Sequence, residues 1–387
     1  MNIAWFCPPA HGHTNPTLGT VKELTEAGHK VYYFSFEQFK EKLLRVGAEF
    51  IGCDGIYPET ESKETADRIG KDKAFAVEIL ISTALAYDEM ISEKITEIKP
   101  DIIISDSIAY WGRLTALKYN IPCITSVTTF AFNESSSKYM KQSIIEDIRM
   151  IFNLPKINKL IKQLIDKGYP VKNIMDIVRS DSNANCFVYT SEYFQPCSDS
   201  FSDSYHFIGP SIRPVETQIR KTGYKTVYIS MGTVINNEEI YRNCIEALKN
   251  TEYQVIIALG NAENKFGELP DNIQIYKQVD QIAVLSIADV FITHCGMNSV
   301  SEGLYFEVPL ILFPQTPEQY SVAARVSELG AGYMPDSADS KAVLNAVGKL
   351  LDNNSYKNAA ANISESFKKC GGAYEARRFI EAVADTN

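Results

Sequence analysis

The chain has 387 residues, a formal net charge of −10, 45% hydrophobic residues and 8 cysteines. That length exceeds what one ordinary core serves and predicts two domains of about two hundred residues each. The acidic balance excludes nucleic acid or a strongly anionic membrane as principal partner, because both demand a basic face, and leaves a small-molecule substrate as the expectation. The cysteines are scattered, as at Cys7, Cys53, Cys123 and Cys295, with no CxxC pair. They read as reduced thiols of a cytoplasmic protein without structural zinc. The start MNIAWFCPPA lacks a basic region, and no apolar run reaches the roughly 18 to 20 residues that span a bilayer, so no stable membrane insertion is expected.

Residues 3–6 are an apolar run that predicts a strand, and the following PPAHGHTNP, residues 8–16, is rich in turn formers and predicts a loop. Residues 17–27 carry Leu18, Val21 and Leu24 at helical spacing, Gly28 ends that helix, and residues 30–35 predict the next strand. A right-handed crossover then sets the 11–16 loop at the carboxyl edge of a parallel sheet. The loop has neither the GxGxxG pattern of dinucleotide oxidoreductases nor a P-loop pattern. His13 is, taken alone, an ordinary loop or cap residue.

Residues 57–99 show amphipathic helical patterns, after which Ile102, Ile103, Ile104 and Ser105 predict a strand ending at Asp106. Asp106 falls on the same sheet edge as His13, where a hydrogen bond between them is plausible, although an Asp after a strand is by itself more often a helix cap. Residues 114–119 continue a helix, 122–127 predict another strand, and Thr128, Thr129, Phe130, Ala131 and Phe132 follow, with aromatics that suit either a core or a pocket wall. From 133 to about 180 the pattern is helical, interrupted by Pro155 and Pro170. Ile157, Leu160, Ile161, Leu164 and Ile165 form one face and Lys156, Lys159, Lys162 and Lys167 crowd the other. This is the pattern of a solvated amphipathic helix, with a lipid-facing helix as the alternative. Residues 186–190 predict the last strand of a first domain, 1–210, and residues 211–222 predict a linker.

A second domain, 223–370, opens with the strand TVYIS running into Met231, Gly232 and Thr233, where backbone N–H groups can approach a phosphate. A helix over 238–249 and strands over 254–259 and 273–276 follow, and Gln278, Val279, Asp280 and Gln281 precede a helix over 282–287. Residues 290–293 are a short β-branched strand ended by His294, Cys295 and Gly296. Asn298 or Ser299 is expected to cap the next helix, with Glu302 in its first turn. Residues 308–313 are the next strand, closed by Pro314 and a polar loop holding Glu318 and Gln319. Both loops of this unit emerge at the carboxyl edge, where a helix N-terminus offers free N–H groups and roughly half a positive charge to an anion such as a diphosphate. Residues 323–329 are helical, 330–332 turn, and 340–384 read as helices broken at Cys370, Gly371 and Gly372.

The spacing of His294, Gly296, Asn298, Ser299, Glu302, Pro314, Glu318 and Gln319 resembles the donor-binding box of the family 1, UDP-sugar-dependent glycosyltransferases, and Gly12 to Pro16 resembles that family's GHxxP segment. The resemblance covers nearly the whole chain and is weakest over 57–99 and 133–180. It implies the α/β GT-B architecture: two Rossmann-like doubly wound domains facing across a cleft, the first binding an acceptor and the second a nucleotide sugar, with residues 371–387 a helix crossing back to the first. It implies that His13 is the catalytic base, held by Asp106, and that Thr129, Phe130 and Phe132 line the acceptor pocket. Donor binding is implied for Ser230, Gly232, Thr233, Val279, Gln281, His294, Gly296, Asn298, Ser299, Glu302, Glu318 and Gln319. Among these, Gln281 falls on the residue that contacts ribose, Val279 on the one whose backbone reads uracil, and Glu318 and Gln319 on the pair that grips sugar hydroxyls. The chain departs from the pattern at Gln278, where plant members carry a Trp that stacks on the base, and at Asp280, which replaces a proline.

The activity so implied resembles that of bacterial macrolide and small-molecule glucosyltransferases: inverting transfer of a hexose, glucose being expected, from a UDP-sugar to a hydroxyl of a small, largely apolar acceptor. The UDP-sugar is a co-substrate, and no cofactor is expected. No metal is expected either, since no Asp-x-Asp, HxxxH or Cys/His cluster has ligand spacing. A monomer or weak homodimer is anticipated. Two alternatives stand beside this reading: a glycolipid-forming glucosyltransferase at a membrane surface, favoured by the lysine-rich helix, and a non-catalytic nucleotide-sugar-binding protein, disfavoured by the joint presence of His13 and Asp106.

Overall fold

The computed structural model describes residues 1–56, 68, 72–136, 144–178, 185–215, 217–222, 224–232, 238–260 and 265–386. The chain forms two compact units, one of Met1–Ser191, Cys197–Ser211 and Cys370–Asn387, the other of Glu192–Pro196 and Ile212–Lys369. In the first unit, β1 (Asn2–Phe6), β2 (Lys30–Ser35), β3 (Glu49–Gly52), β4 (Ile102–Asp106), β5 (Cys123–Val127), β6 (Asn185–Val188) and β7 (Tyr205–Phe207) form one sheet in the order β3-β2-β1-β4-β5-β6-β7. Every pairing is parallel. Its central strands are apolar on both faces, with Ile3, Trp5, Ile102 and Ile104 fully buried on one and Ala4, Phe6 and Ile103 on the other, so helices must cover both sides. Phe6 stacks on Phe34 of the next strand, ring centroids 4.3 Å apart.

The second unit repeats the plan. Strands β8 (Thr226–Ser230), β9 (Gln254–Ala258), β10 (Ile273–Tyr276), β11 (Val290–Thr293), β12 (Leu310–Leu312) and β13 (Gly332–Tyr333) lie in the order β10-β9-β8-β11-β12-β13, again all parallel. In each sheet the chain order reverses beside the first strand, between β1 and β4 and between β8 and β11. In open α/β sheets ligands bind at the carboxyl ends of the strands flanking such a reversal. Three strands depart from the sequence reading. β7 follows the strand expected to be last, β13 takes in Gly332 where a turn was expected, and β3 was not anticipated; each is a short edge strand of 4 residues or fewer.

Helix Ile144–Asp166 packs along helix Lys73–Ile98, and its Ile157, Ile161 and Leu164 join the core that holds Val77, Ile81 and Tyr87. The centre of the apolar stripe is therefore spent on the protein itself, while Ile165 at its end and Ile151 and Phe152 earlier in the helix stay exposed. Of its lysines, Lys156 pairs with Glu78 and Lys167 with Asp88 at 2.9 Å. No described helix is long and apolar enough to cross a membrane. Residues 57–67 and 69–71, part of the segment expected to be helical, lie outside the described residues. The last helix, Gly372–Asp385, lies on helix His11–Glu26 and adds Ala376, Phe379, Ile380 and Val383 to the first unit's core.

Asp88 ties three elements together under helix Ile144–Asp166. Lys118 Nζ donates to it at 2.6 Å, Lys167 Nζ at 2.9 Å and the Tyr169 hydroxyl at 2.8 Å. Burial pushes its carboxyl up, but the hydrogen bonds from Lys118, Lys167 and Tyr169 outweigh that and hold it below the ordinary value. A depressed carboxyl contributes stability that is present above its unfolded pKa, near 4, and lost as pH falls through the folded value. Asp88→Asn is accordingly expected to destabilise the first unit by about 1–3 kcal/mol at pH 7. The gap between variant and parent should narrow as pH falls below about 4, read from chemical unfolding across that range.

Candidate active site

The PPAHGHTNP segment folds differently from its composition. The helix that follows β1 starts at His11, with Ala10 extended as its N-cap, and absorbs Gly12, Asn15 and Pro16. Burial decides this: Thr14, Pro16, Thr17, Thr20, Val21 and Leu24 all turn inward, and Pro16 forfeits one helical hydrogen bond. His13 is thus the third residue of a helix rather than a loop residue. Its Nδ1 lies 2.9 Å from Oδ2 of Asp106, the last residue of β4, whose other oxygen accepts the Ile108 N–H at 3.0 Å. The Asp106 side chain is fully enclosed, whereas that of His13 keeps 19% of its surface exposed. A carboxylate so placed holds the proton on Nδ1 and leaves the Nε2 lone pair to act as base. Thr128, which the sequence reading set in the stretch associated with the acceptor pocket and not beside His13, brings its hydroxyl to 3.0 Å from the same Nδ1. Of the expected acceptor-pocket residues, Phe130 is buried to 1% exposure and serves the interior, while Thr129 and Phe132 are half-buried.

In the second unit the loops after β8 and β11 meet around His294. Gly232 has φ of +74°, and a Cβ there would come within 2.7 Å of the His294 ring. A Cβ on Gly296 would come equally close, 2.7 Å from Nε2, so both positions need glycine for the imidazole to fit. Burial pushes the His294 pKa down to about 4, with the Ser230 backbone pulling the other way, so the ring is neutral near pH 7. Its Nδ1 is enclosed without a hydrogen-bond partner, as is the side-chain amide of Gln315 after β12. Orphaned polar groups at a helix N-terminus are the mark of a site that a polar ligand completes. Thr233 lies outside the described residues.

The helix cap is one correction to the sequence reading. Gly296, extended at φ −63° and ψ 136°, caps helix Met297–Tyr305. Asn298 and Ser299 are therefore in its first turn, among the residues whose N–H groups have no intrahelical acceptor. Glu302 falls one turn later than expected, and this puts it within reach of Gln281. Gln281 Nε2 donates to Glu302 at 2.5 Å and to Ser299 Oγ at 3.3 Å, and Gln281 Oε1 accepts from the Tyr228 hydroxyl at 3.0 Å. Burial raises the Glu302 carboxyl, and the Gln281 bond partly offsets this. Gln281 opens a helix, Gln281–Leu285, capped by Asp280, which also pairs with Arg213. That is what the aspartate does in place of a proline. Val279, immediately before it, is half-buried.

Glu318 and Gln319 are likewise in a helix rather than a loop. Helix Pro317–Glu328 begins six residues before the expected start and is closed by a capping box. Thr316 Oγ1 accepts the Gln319 N–H at 3.3 Å, and Gln319 Oε1 accepts the N–H groups of Gln315 at 2.8 Å and Thr316 at 3.2 Å. Proline at the first position and a Thr-x-x-Gln spacing account for it. Among the described residues no three His, Cys, Asp or Glu side chains gather as a metal ion would require.

Two parallel α/β units with polar clusters at the carboxyl edge of each sheet's reversal define the GT-B class of nucleotide-sugar glycosyltransferases. Solved structures of that class superpose over almost the whole chain. The glycosyltransferase of kitacinnamycin gives a TM-score of 0.84 at 24% identity, covering 99% of this chain and 98% of the other. CalG4, the calicheamicin glycosyltransferase, gives 0.82 at 23%, with the same coverage. Residues 209–369 match the family described as UDP-glucoronosyl and UDP-glucosyl transferase. The uncharacterized UDP-glucosyltransferase YdhE of Bacillus subtilis is 34% identical over 94% of this chain and 93% of its own, and the NDP-glycosyltransferase YjiC of Bacillus licheniformis 31% over 98% and 97%. The chain belongs to this family of glycosyltransferases.

The capping box yields a separable test for Gln319. Thr316→Ala removes the cap without touching the Gln319 amide and should cost about 1 kcal/mol of stability. Gln319→Ala should match that loss and, beyond it, raise the KM for the nucleotide sugar several-fold. Identical donor kinetics in the two variants would assign Gln319 to the cap alone.

Proposed function

We propose that the protein is an inverting transferase that moves a hexose, glucose in the first instance, from a UDP-sugar to a hydroxyl of a small, largely apolar natural product. The observation that carries this reading is the 2.9 Å contact of His13 Nδ1 with an enclosed Asp106 carboxylate, which favours the tautomer whose Nε2 carries the basic lone pair. Names among the relatives support the substrate classes: a mycarosyltransferase of Streptomyces fradiae acts on demethyllactenocin, and a glycosyltransferase of Streptomyces antibioticus on oleandomycin.

His13 Nε2 takes the proton of the acceptor hydroxyl as that oxygen bonds to the anomeric carbon. The bond from that carbon to the diphosphate breaks on the opposite face, and UDP leaves with the electron pair, so one displacement inverts the centre. Asp106 stabilises the imidazolium so formed. The neutral His294, the backbone at Gly232 and the first-turn N–H groups of helix Met297–Tyr305 receive the diphosphate charge, and Gln281 with Glu302 takes the ribose hydroxyls. Glu318 and Gln319 hold the sugar. General-base assistance contributes about 10²–10⁴-fold and oriented donors on the leaving charge a few kcal/mol more. The glycolipid reading loses part of its support, because the helix that suggested it packs Ile157, Ile161 and Leu164 into the protein's own core.

Incubation with UDP-glucose and a panel of macrolide, flavonoid, phenol and sterol acceptors, read by mass spectrometry, tests the assignment, and products only from another sugar nucleotide would revise the donor. His13→Ala should lower kcat by about 10²–10⁴ for a hydroxyl acceptor while calorimetric binding of UDP stays intact. The penalty should shrink for an acidic thiophenol already ionised at the assay pH. Gly296→Ala, whose backbone angles suit alanine, should fold normally yet weaken UDP binding by at least about tenfold, because its Cβ displaces His294.

A further inference from the structure

Two oxygens compete for one proton at His13. An imidazole Nδ1 has a single in-plane hydrogen-bonding direction, yet Asp106 Oδ2 stands 2.9 Å and Thr128 Oγ1 3.0 Å from it. The oxygens arrive from neighbouring strands: Asp106 ends β4 and pairs in register with Ser126 of β5, and Thr128 follows the end of β5, so both lie on the carboxyl edge above which helix His11–Glu26 starts. Thr128 is only 3% exposed. A hydroxyl at so buried a position is costly unless it is hydrogen-bonded, and valine would fill the same volume without that cost.

We propose that Thr128 is a positioning residue for the transfer reaction: its hydroxyl oxygen shares the Nδ1 proton with Asp106 and locks the plane of the His13 ring. The inference rests on the reading of His13 as the base. Asp106 selects the tautomer and restrains the ring from one strand. A second acceptor on the adjacent strand restrains it from another direction and keeps the Nε2 lone pair aimed one way. When Nε2 gains the acceptor's proton, the Nδ1 proton of the imidazolium remains shared between the carboxylate and the neutral hydroxyl oxygen, so the ring need not turn during the step. Thr128 does not touch the acceptor or the sugar in this scheme, and its removal should act on the rate and not on donor binding.

The test uses the full-length protein, UDP-glucose and a phenol acceptor beside the corresponding thiophenol at a pH where only the thiol is ionised. Thr128→Val should lower kcat for the phenol by about three- to tenfold, the worth of one hydrogen bond, with the KM for UDP-glucose unchanged. The loss should nearly vanish for the thiophenol, which needs no base, and Thr128→Ser should restore the parent rate. Should the valine variant fold poorly by circular dichroism, Thr128→Ala against Thr128→Ser asks the same question. Parent-like turnover of the phenol by the hydroxyl-less variant, or equal losses with phenol and thiophenol, would overturn the proposal. His13→Ala assayed in parallel separates the two readings. If that variant keeps its phenol activity, the base assignment falls. If it loses activity while Thr128→Val does not, Thr128 alone is refuted.

Discussion

The parallel pairing of β1 with β4 is the constraint on which the first unit's chemistry rests. Phe6 stands opposite Ser105, so the two strands end level, and whatever leaves β1 meets whatever ends β4. The residues themselves are far apart in the chain, 93 positions between His13 and Asp106, and nothing local brings them together. Slipping β4 by one residue would turn Asp106 to the other face of the sheet and bury its carboxylate among apolar side chains. The run Ile102–Ile104, buried on both faces, would tolerate such a slip, so the register is held at the strand's start, where the Asn2 N–H donates to the Asp101 carboxylate at 2.7 Å and the Asp101 N–H to the Asn2 carbonyl at 2.8 Å.

The second unit uses the same geometry with the opposite electrostatics. Thr293 pairs with Ser230 at the end of β11 and β8, as Phe6 pairs with Ser105, and a histidine again follows. His13 faces an anion, whereas His294 is wrapped by Gly232 and Gly296 and held neutral by burial. The first environment suits an imidazole that acquires positive charge. The second suits one that contributes a polar atom without charge, next to a helix N-terminus that already carries a partial positive end. One side chain therefore serves two ends because glycines and a carboxylate are distributed differently around it.

Much of this was legible in the sequence. The long apolar runs of β1, β2, β4, β8, β9 and β11 announce themselves, and the unusual residues of the box after β11 stand at fixed spacing. What escaped had physical reasons. β3, β7 and β13 are too short for periodicity and exist because a neighbouring strand offers them an edge. The helix over His11–Glu26 begins in residues that favour turns, because threonines at positions 14, 17 and 20 are buried at helical spacing, a polar pattern that hydrophobicity does not register. Gly296 caps its helix with backbone alone, so the search for a side-chain cap went to Asn298 and Ser299. Thr128 stands beside Asp106 only through strand pairing, and no local pattern marks it.

The path of the chain has a consequence for exchanging parts between relatives. It leaves the first unit at Ser191, contributes Glu192–Pro196 to the second, returns for Cys197–Ser211, and comes back once more from Cys370 onward. In the second unit the Arg325 guanidinium grips the Tyr193 and Phe194 carbonyls, and Phe194 meets the Phe367 ring. A chimera joined once, near residue 211, would therefore pair each half with a foreign fragment. The second unit would lose the five residues that Arg325 holds, and the first would receive another protein's terminal helix against its own helix His11–Glu26. Recombination that respects the fold has to move residues 192–196 with 212–369, and the tail with the N-terminal half. Sequence drift in the tail is then coupled to the unit at the other end of the gene's reading frame.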